Sequence, residues 1–527
     1  MQTGICTNIG NCSKADSGEK MQVPVGGLFV CPECNRELAR VGGTGAGTHG
    51  NRSALVLLLV ALLVFAGLGF GIWKLFSGKK PDGGGNGQPG GIPSKSSKQD
   101  LPADVETILR LSGSNTIGSK LAPALAEEFL KAQGAQDVRR IPGDKDEVTV
   151  VGTLSGQSAP SAITIKAHGS KTAFEDLGAD KADIGMASRK IKKEEKESLA
   201  SLGDMTSRAS ENVVGLDGLA VIVNQANSVD ALSDQQIRDI FTGKITDWSQ
   251  VGGSSGTIKL YARDDKSGTF DTFKELVLHG EALSSSAKRF EDSTELSNEV
   301  ADDVQGIGFI GMPYILNAKA LKVSAGSSVP MKPTVLTVKT EDYLLSRRLY
   351  LYTAPASKNT WVRRFIEFAL SNEGQAIVDK IGFVGQAITK DVIATAEEAV
   401  VATNLPPDYE RLIRNAERVP FNFRFSSGSD TLDTKAIRDL GRLVQFMSDR
   451  NYQDREVLLL GFADAQGSED ANKELSRRRA RAVESELRGE GIRPAVIDGF
   501  GEELPVASND TEDGRDKNRR VEVWIRR

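Results

Sequence analysis

Two hydrophobic periodicities take turns along the middle of the chain. Residues 109–113 (Leu-Arg-Leu-Ser-Gly) read as a short strand, and Leu121, Leu125 and Phe129 then recur four apart, as on one face of a helix. Residues 182–186 read as another short strand, 219–223 (Leu-Ala-Val-Ile-Val) as a buried one, and 237–242 as a short helix. Such alternation over residues 106–395 predicts an α/β fold with mostly parallel sheets. Its length suits two lobes with a ligand held between them at the strand ends. Near the end of the chain the pattern starts again. Phe421, Phe423 and Phe425 alternate as in a half-buried strand, and Ile437, Leu440, Val444 and Met447 follow at helical spacing. A strand over 457–462, a helix over 469–488 and a closing strand over 521–525 complete an α+β sandwich.

One segment breaks both periodicities. Residues 54–73 are twenty uncharged, mostly apolar residues, about the length a helix needs to cross a bilayer. A buried core helix would carry polar interruptions, and a cleaved signal peptide would not follow more than fifty residues of chain. A transmembrane helix is expected, with Trp73 and Lys74 at the headgroup boundary. Flanking charge does not orient it, because Arg36, Arg40 and Arg52 precede it and Lys74, Lys79 and Lys80 follow. Residues 42–53 form a Gly-rich linker whose G-x-G-x-x-G lacks the strand and helix of a dinucleotide site. Residues 74–105 form a flexible linker, of which the Gly/Pro/Ser/Lys-rich part has a reach of about 25–30 Å.

Composition then narrows the function. A net charge of −5 argues against non-specific nucleic-acid binding, which needs a basic face. The three histidines, His49, His168 and His279, have no metal-ligand spacing. All four cysteines lie in the first 34 residues, so two redox compartments are implied. Cys6, Cys12, Cys31 and Cys34 could complete a tetrahedral structural zinc site, with two disulfides or free thiols as the alternative. A head of about forty residues would draw its folding energy from that metal. Zinc binding places residues 1–41 in the cytoplasm and everything after the span outside it.

The chemistry of the middle domain concentrates at residues 263–270, Arg-Asp-Asp-Lys-Ser-Gly-Thr-Phe. Ser267, Gly268 and Thr269 would open a helix running through Phe273 and Leu276. Free N–H groups there, two hydroxyls and the fork of Arg263 suit an oxyanion. A Ser-Gly-Thr that serves only as a helix cap is the plainer alternative. The surrounding motifs add to this: 112–116 (Ser-Gly-Ser-Asn-Thr), 182–189, 217–224, 238–248, 306–311 and 371–378. In order and together they resemble the substrate-binding proteins of phosphate ABC transporters, which implies the two-lobed periplasmic-binding-protein fold. The resemblance implies phosphate ligands at Thr116, Ile117, Ser170, Arg263, Asp265, Ser267, Gly268 and Thr269. It also implies that a carboxylate, here Asp265, accepts the proton of hydrogen phosphate and so rejects sulfate. Arg189 stands where many of these proteins carry an aspartate, and would favour a more charged anion or face solvent.

In the C-terminal helix, Leu475, Ala480, Val483 and Leu487 define an apolar stripe at 100° per residue. Arg477, Arg478 and Arg481 fall outside it, whereas Asn472 and Arg479 fall inside. A charge there needs a partner, either in a core ion pair or in a ligand site, and Asp464, in the loop entering this helix, is a natural partner for either. Residues 461–467, Asn472, 475–480, 499–501 and 518–522 resemble the OmpA C-terminal family. That resemblance implies a grip on diaminopimelate-containing peptidoglycan, with Asp464 on its ammonium, Arg479 on its carboxylate and Asn472 in support.

The expected chain is multidomain. A small zinc-ribbon-like head (1–41), a transmembrane helix (54–73), a two-lobed α/β domain (106–395), a linker (396–417) and an α+β OmpA-like domain (418–527) follow one another. The expected function is a single-pass inner-membrane, non-enzymatic binding protein with a cytoplasmic N-terminus. Its periplasmic part would bind phosphate and the cell wall, and could serve an ABC permease. The alternatives are a structural envelope tether with a non-binding middle domain, or a phosphatase using Ser267 or Asp265, for which no nucleophile–base pair is present.

Overall fold

The computed structural model describes residues 104–265, 267–400, 404–425 and 431–527, and the backbone of 2–5, 20–23 and 39–40. The chain divides into two compact units, Met1–Lys98 and Gln99–Arg527. In the first, β1 (Gln2–Ile5) pairs antiparallel with both β2 (Lys20–Val23) and β3 (Ala39–Arg40). The expected zinc ligands Cys6, Cys12, Cys31 and Cys34 and the expected membrane helix over 54–73 lie outside the described residues. Among the described residues no helix is long and apolar enough to cross a membrane, and no cluster of His, Cys, Asp or Glu could hold a metal.

The second unit opens with β4 (Glu106–Gly113), β5 (Gln136–Pro142), β6 (Glu147–Thr153), β7 (Ser161–Lys166), β8 (Ile184–Ala187) and β9 (Glu211–Val223). It continues with β10 (Ala231–Ser233), β11 (Lys259–Arg263), β12 (Lys288–Phe290), β13 (Gly306–Gly311), β14 (Lys319–Ala320), β15 (Lys322–Ser324) and β16 (Ser346–Thr353). β10 and β15 pair as a separate two-stranded sheet, and the rest run β12-β11-β13-β9-β16-β8-β4-β7-β6-β5, with β14 also on β9.

This sheet serves two lobes. The first lobe's core gathers around Leu111, Phe129, Ile165 and Phe365. The second gathers around Val221, Phe241, Phe273 and Phe309, the last two stacked with ring centroids 3.9 Å apart. Two strands join them. β9 is buried along all thirteen residues, pairing with β16 from Glu211 to Gly218 and with β13 from Leu219 to Val223. β16 in turn pairs with β8 of the first lobe through Tyr350–Thr353. The expectation of mostly parallel sheets is overturned. β4 with β7 and β8, and β11 with β12 and β13, are parallel, but the β5–β6–β7 meander and both crossing strands run antiparallel to their neighbours. Meanders return through tight turns, which parallel strands cannot do.

Local chemistry sets the helix starts. Ser233 and Gln236 form a reciprocal capping box that opens the helix Asp234–Phe241, close to the expected segment. Ser267-Gly268-Thr269 opens the helix Gly268–Phe273, which runs on as a π-helical turn over Lys274–Leu278.

The C-terminal sheet comprises β17 (Ala394–Thr395), β18 (Ala416–Arg424), β19 (Glu456–Gly461), β20 (Val496–Gly499) and β21 (Arg520–Arg526), in the order β17-β18-β21-β19-β20. The helices Thr434–Met447 and Glu469–Gly489 cover one face, burying Leu443, Val483 and Leu487 against Val419, Phe421 and Phe423. Of residues 396–417, expected as a linker, 396–400 and 404–417 pack onto the domain. Tyr409 and Ile413 from the helix Pro407–Ile413 pack with Leu458, Leu460 and Trp524 on the other face. β18 is likewise not half-buried. Its polar residues Arg418, Asn422 and Arg424 are as buried as its phenylalanines, because residues 340–342 of the two-lobed domain lie over them.

Candidate functional site

β4 enters the cleft through Gly113, whose φ of +136° is closed to other residues and whose Cβ would lie 2.0 Å from the Met186 carbonyl oxygen. The tight turn delivers Thr116 into the short helix Asn115–Gly118. The second loop is tied to the first, since the Gly169 N–H donates to the Gly113 carbonyl at 2.8 Å. It opens the helix Ser170–Gly178, where the Ser170 hydroxyl accepts the Ser188 N–H at 3.0 Å. Ile117 buries its side chain fully in the core, so only its backbone can serve a ligand.

The third loop comes from the other lobe and meets the first. Gly268 lies so close that a Cβ there would stand 2.7 Å from Thr116 Cα, and the Thr116 hydroxyl donates to the Gly268 carbonyl at 3.3 Å. Ser267 is buried and caps its own helix, accepting the Thr269 N–H at 3.2 Å. Thr116, Ser267, Gly268 and Thr269 are thus gathered where the two lobes touch.

Two expected ligands stand elsewhere. All three nitrogens of Arg263 donate to protein: to the Phe290 carbonyl at 3.2 Å, Ser293 Oγ at 2.5 Å and the Glu291 carbonyl at 2.9 Å. Asp265 has a side chain 87% exposed and pairs with Arg289 at 2.7 Å. A carboxylate in water discriminates weakly, so the expected proton-reading role of Asp265 has no buried acceptor behind it. Arg189 adds no free charge either. It forms a bidentate pair with Glu195 at 2.6 and 2.8 Å, beside the Phe174 ring.

The charge at the lobe junction comes from Arg347 on β16, which sequence reasoning missed. Its guanidinium is 5% exposed and donates to Thr116 Oγ1 at 2.8 Å and to the Gly268 carbonyl at 3.3 Å. It also pairs with Asp217 and Glu275, both at 3.3 Å. Two adjacent arginines leading into Leu349-Tyr350-Leu351-Tyr352 of the strand 346–353 were the available signal. Asp271 lies near this guanidinium. Burial holds its carboxyl above the usual range, opposed by the charges of Lys274 and Arg347.

In the C-terminal domain Asp464, Asn472 and Arg479 are all buried, at 8, 2 and 4% exposure. Ser468 caps the helix Glu469–Gly489 that carries the last two. The Arg479 guanidinium lies 5.5 Å over the Phe425 ring. Asn472 donates to Glu502 at 2.8 Å. The partner of Asp464 is not Arg479 but Arg519, at 2.7 Å. Arg519 also pairs with Glu512, and with Arg515 it pulls that carboxyl down to about 2. Of the stripe's far side, Arg478 and Arg481 are exposed as expected, whereas Arg477 is half-buried on Asp498 at 2.9 Å. Leu475 is only half-buried. Ser476 takes the core position, its hydroxyl accepting the Gly501 N–H.

Known proteins share both halves of this architecture. A PBP superfamily domain matches residues 107–373 and an OmpA family domain matches 424–519. The phosphate-binding protein PstS of Staphylococcus saprophyticus is 30% identical over 281 residues, 52% of this chain and 78% of that protein. Protein SphX of Synechococcus elongatus is 33% identical over 234 residues, 42% of this chain and 68% of that protein. The crystal structure of a possible phosphate binding protein from Planctomyces limnophilus is 27% identical, covering 55% of this chain and 95% of that one at a TM-score of 0.44. Through residues 107–373 the chain belongs to the PBP superfamily, and it continues into an OmpA-family domain.

Proposed function

We propose that the protein is a non-enzymatic envelope receptor that closes its two lobes on phosphate and grips peptidoglycan through its C-terminal domain. The observation that carries the first half is the meeting of Thr116 and Gly268, on opposite lobes, with the buried guanidinium of Arg347 donating to both. The relatives named for phosphate binding support it. The second half rests on Asp464, Asn472 and Arg479, polar groups buried in an OmpA-family domain. In this reading the span over 54–73 anchors the chain in the inner membrane. The zinc-bound head, with Cys6, Cys12, Cys31 and Cys34, lies in the cytoplasm, and the described domains lie in the periplasm. An ABC permease is the partner that would take up the phosphate.

Calorimetry of the full chain against phosphate and sulfate tests the first half. Phosphate heat at micromolar concentration is the expected result, and comparable heat with sulfate would agree with the exposed position of Asp265. One observation favours a second reading, a tether whose middle domain binds nothing: the nitrogens of Arg263 are all engaged within the protein. Absence of heat at millimolar phosphate would select it. For the wall, Asp464→Ala and Arg479→Ala are expected to abolish co-sedimentation with purified sacculi while Arg478→Ala leaves it intact. Equal loss in all three would mean simple electrostatic adhesion.

A further inference from the structure

The C-terminal domain does not merely follow the two-lobed domain. It sits across both lobes at the strands that join them. One turn of helix, residues 433–438, touches three separate parts of the neighbouring domain. Thr434 donates to Glu211 at 2.6 Å and Arg438 to Asn212 at 2.5 Å, both on the first-lobe end of β9, and Arg438 also to the Arg208 carbonyl just before it at 3.2 Å. Asp433 pairs with Arg348 of β16 at 2.7 Å. Lys435 lies 3.5 Å from Glu341, which belongs to the second lobe.

Other elements of the C-terminal domain reinforce the second-lobe side. Asn422 donates to the Thr340 carbonyl and to Asp342, at 2.8 and 2.7 Å, and Arg424 to the carbonyls of Thr340 and Glu341. Lys517 donates to the carbonyls of Tyr343, Leu344 and Ser346, where β16 begins. These groups are mostly buried, so the contacts are not the loose ion pairs of a wet surface.

β16 shows how the two sites meet. Successive side chains on a strand point to opposite faces. Arg347 faces the cleft and holds Thr116 and Gly268, whereas Arg348, its neighbour, holds Glu341 and Asp433 on the C-terminal side. Any change of angle between the lobes bends β9 and β16 and so shears both sets of contacts.

We propose that the C-terminal domain is a strap over the hinge, holding the lobes at the closed angle in which Thr116 meets Gly268. Anion occupancy and the seating of the wall-binding domain then share one free energy, so each strengthens the other. The binding module is thereby set apart from a freely opening one. Its ligand arm rests on the phosphate reading above, but the strap itself does not.

The test uses the full chain with spin labels on noncanonical residues at Lys181 and Ser285, exposed positions on the first and second lobes. Interlobe distances are measured in the wild type and in a Thr434→Val, Arg438→Met double variant, with and without inorganic phosphate. The wild type is expected to give one narrow distribution in both conditions. The double variant should give a broad, longer one that phosphate narrows, with phosphate bound about tenfold more weakly. Should the double variant fold poorly, Arg438→Gln alone is compared by the same distances. Identical distributions in wild type and variant overturn the strap. If the wild type gives no heat with millimolar phosphate, the phosphate reading fails, and the anion-free distances still decide the strap.

Discussion

Gly268→Ala tests the contact that closes the lobes. A Cβ at Gly268 would lie 2.7 Å from Thr116 Cα, 2.9 Å from its Oγ1 and 3.1 Å from its nitrogen, where ordinary contact begins at 3.4 Å. Two of those three atoms are backbone, so no rotamer change relieves the overlap. The lobes must part by several tenths of an ångström, and the bonds from Thr116 and Arg347 to the Gly268 carbonyl lengthen with them. Overpacking of this kind costs about 1–3 kcal/mol. If it falls on the closed state alone, phosphate binding weakens roughly 5- to 150-fold. Backbone strain adds nothing to the cost, because Gly268 has no left-handed φ and stands at a helix start. The share of the cost that the strap holds in place without anion lowers the melt, and the share relieved by opening lowers the affinity. Calorimetry with inorganic phosphate, beside a thermal melt, reads the two effects apart. An unchanged melt with a phosphate Kd within twofold of wild type would refute the reasoning, because the lobes would then not need this contact to hold the anion.

Arg348→Met should leave Glu341 and Asp433 buried without their shared cation and lower stability by about 3 kcal/mol, seen as an earlier first transition in urea; no shift would mean that water already screens the pair. Lys339 is 5% exposed, and burial pushes it down to about 8 from an unfolded value of 10.5. The unfolded chain therefore holds more protons between those values, so stability rises with pH through that window and the penalty is full below it. From pH 7.5 to 9.5 the gain is up to about 2 kcal/mol, and Lys339→Met should remove it. Metal analysis of the purified full chain should find one zinc, lost in Cys31→Ser; a metal-free wild type would leave the head to disulfides or free thiols.

The parts of the fold that sequence made legible are those set by local pattern. The strand at 219–223, the helix near 237–242 and the C-terminal strands all follow from hydrophobic period and turn chemistry, and the structure has them within a few residues. Sheet direction was not legible, because period 2 is the same for parallel and antiparallel strands. The cleft was half legible. Ser267, Gly268 and Thr269 carry a recognisable helix start, but the direction an arginine takes after it does not show in sequence. Arg263 turns toward residues 290–293, and a residue 84 positions later, Arg347, reaches the place it was expected to fill. In the same way Arg479 could be singled out as a charge on an apolar stripe and Asp464 as a loop residue able to partner it, whereas the pairing of Asp464 with Arg519 depends on a third element.

β18 shows why domain boundaries drawn from sequence missed the feature that sets this chain apart. Its alternation of phenylalanines with Arg418, Asn422 and Arg424 is what a one-sided sheet in water would show. Arginine and asparagine read as solvent-facing only if no other domain supplies acceptors, and here Thr340, Glu341 and Asp342 supply them. A polar face built to meet another polar face is indistinguishable, residue by residue, from one built to meet water. The distinction lies in matching: a basic strip at 418–424 opposite an acidic pair at 341–342, with Arg348 and Asp433 inverting the signs one step away. Paired buried charges add little net stability over apolar contacts but penalise every misaligned docking. An interface made this way fixes one orientation of the wall-binding domain over the hinge, which is the property a strap requires.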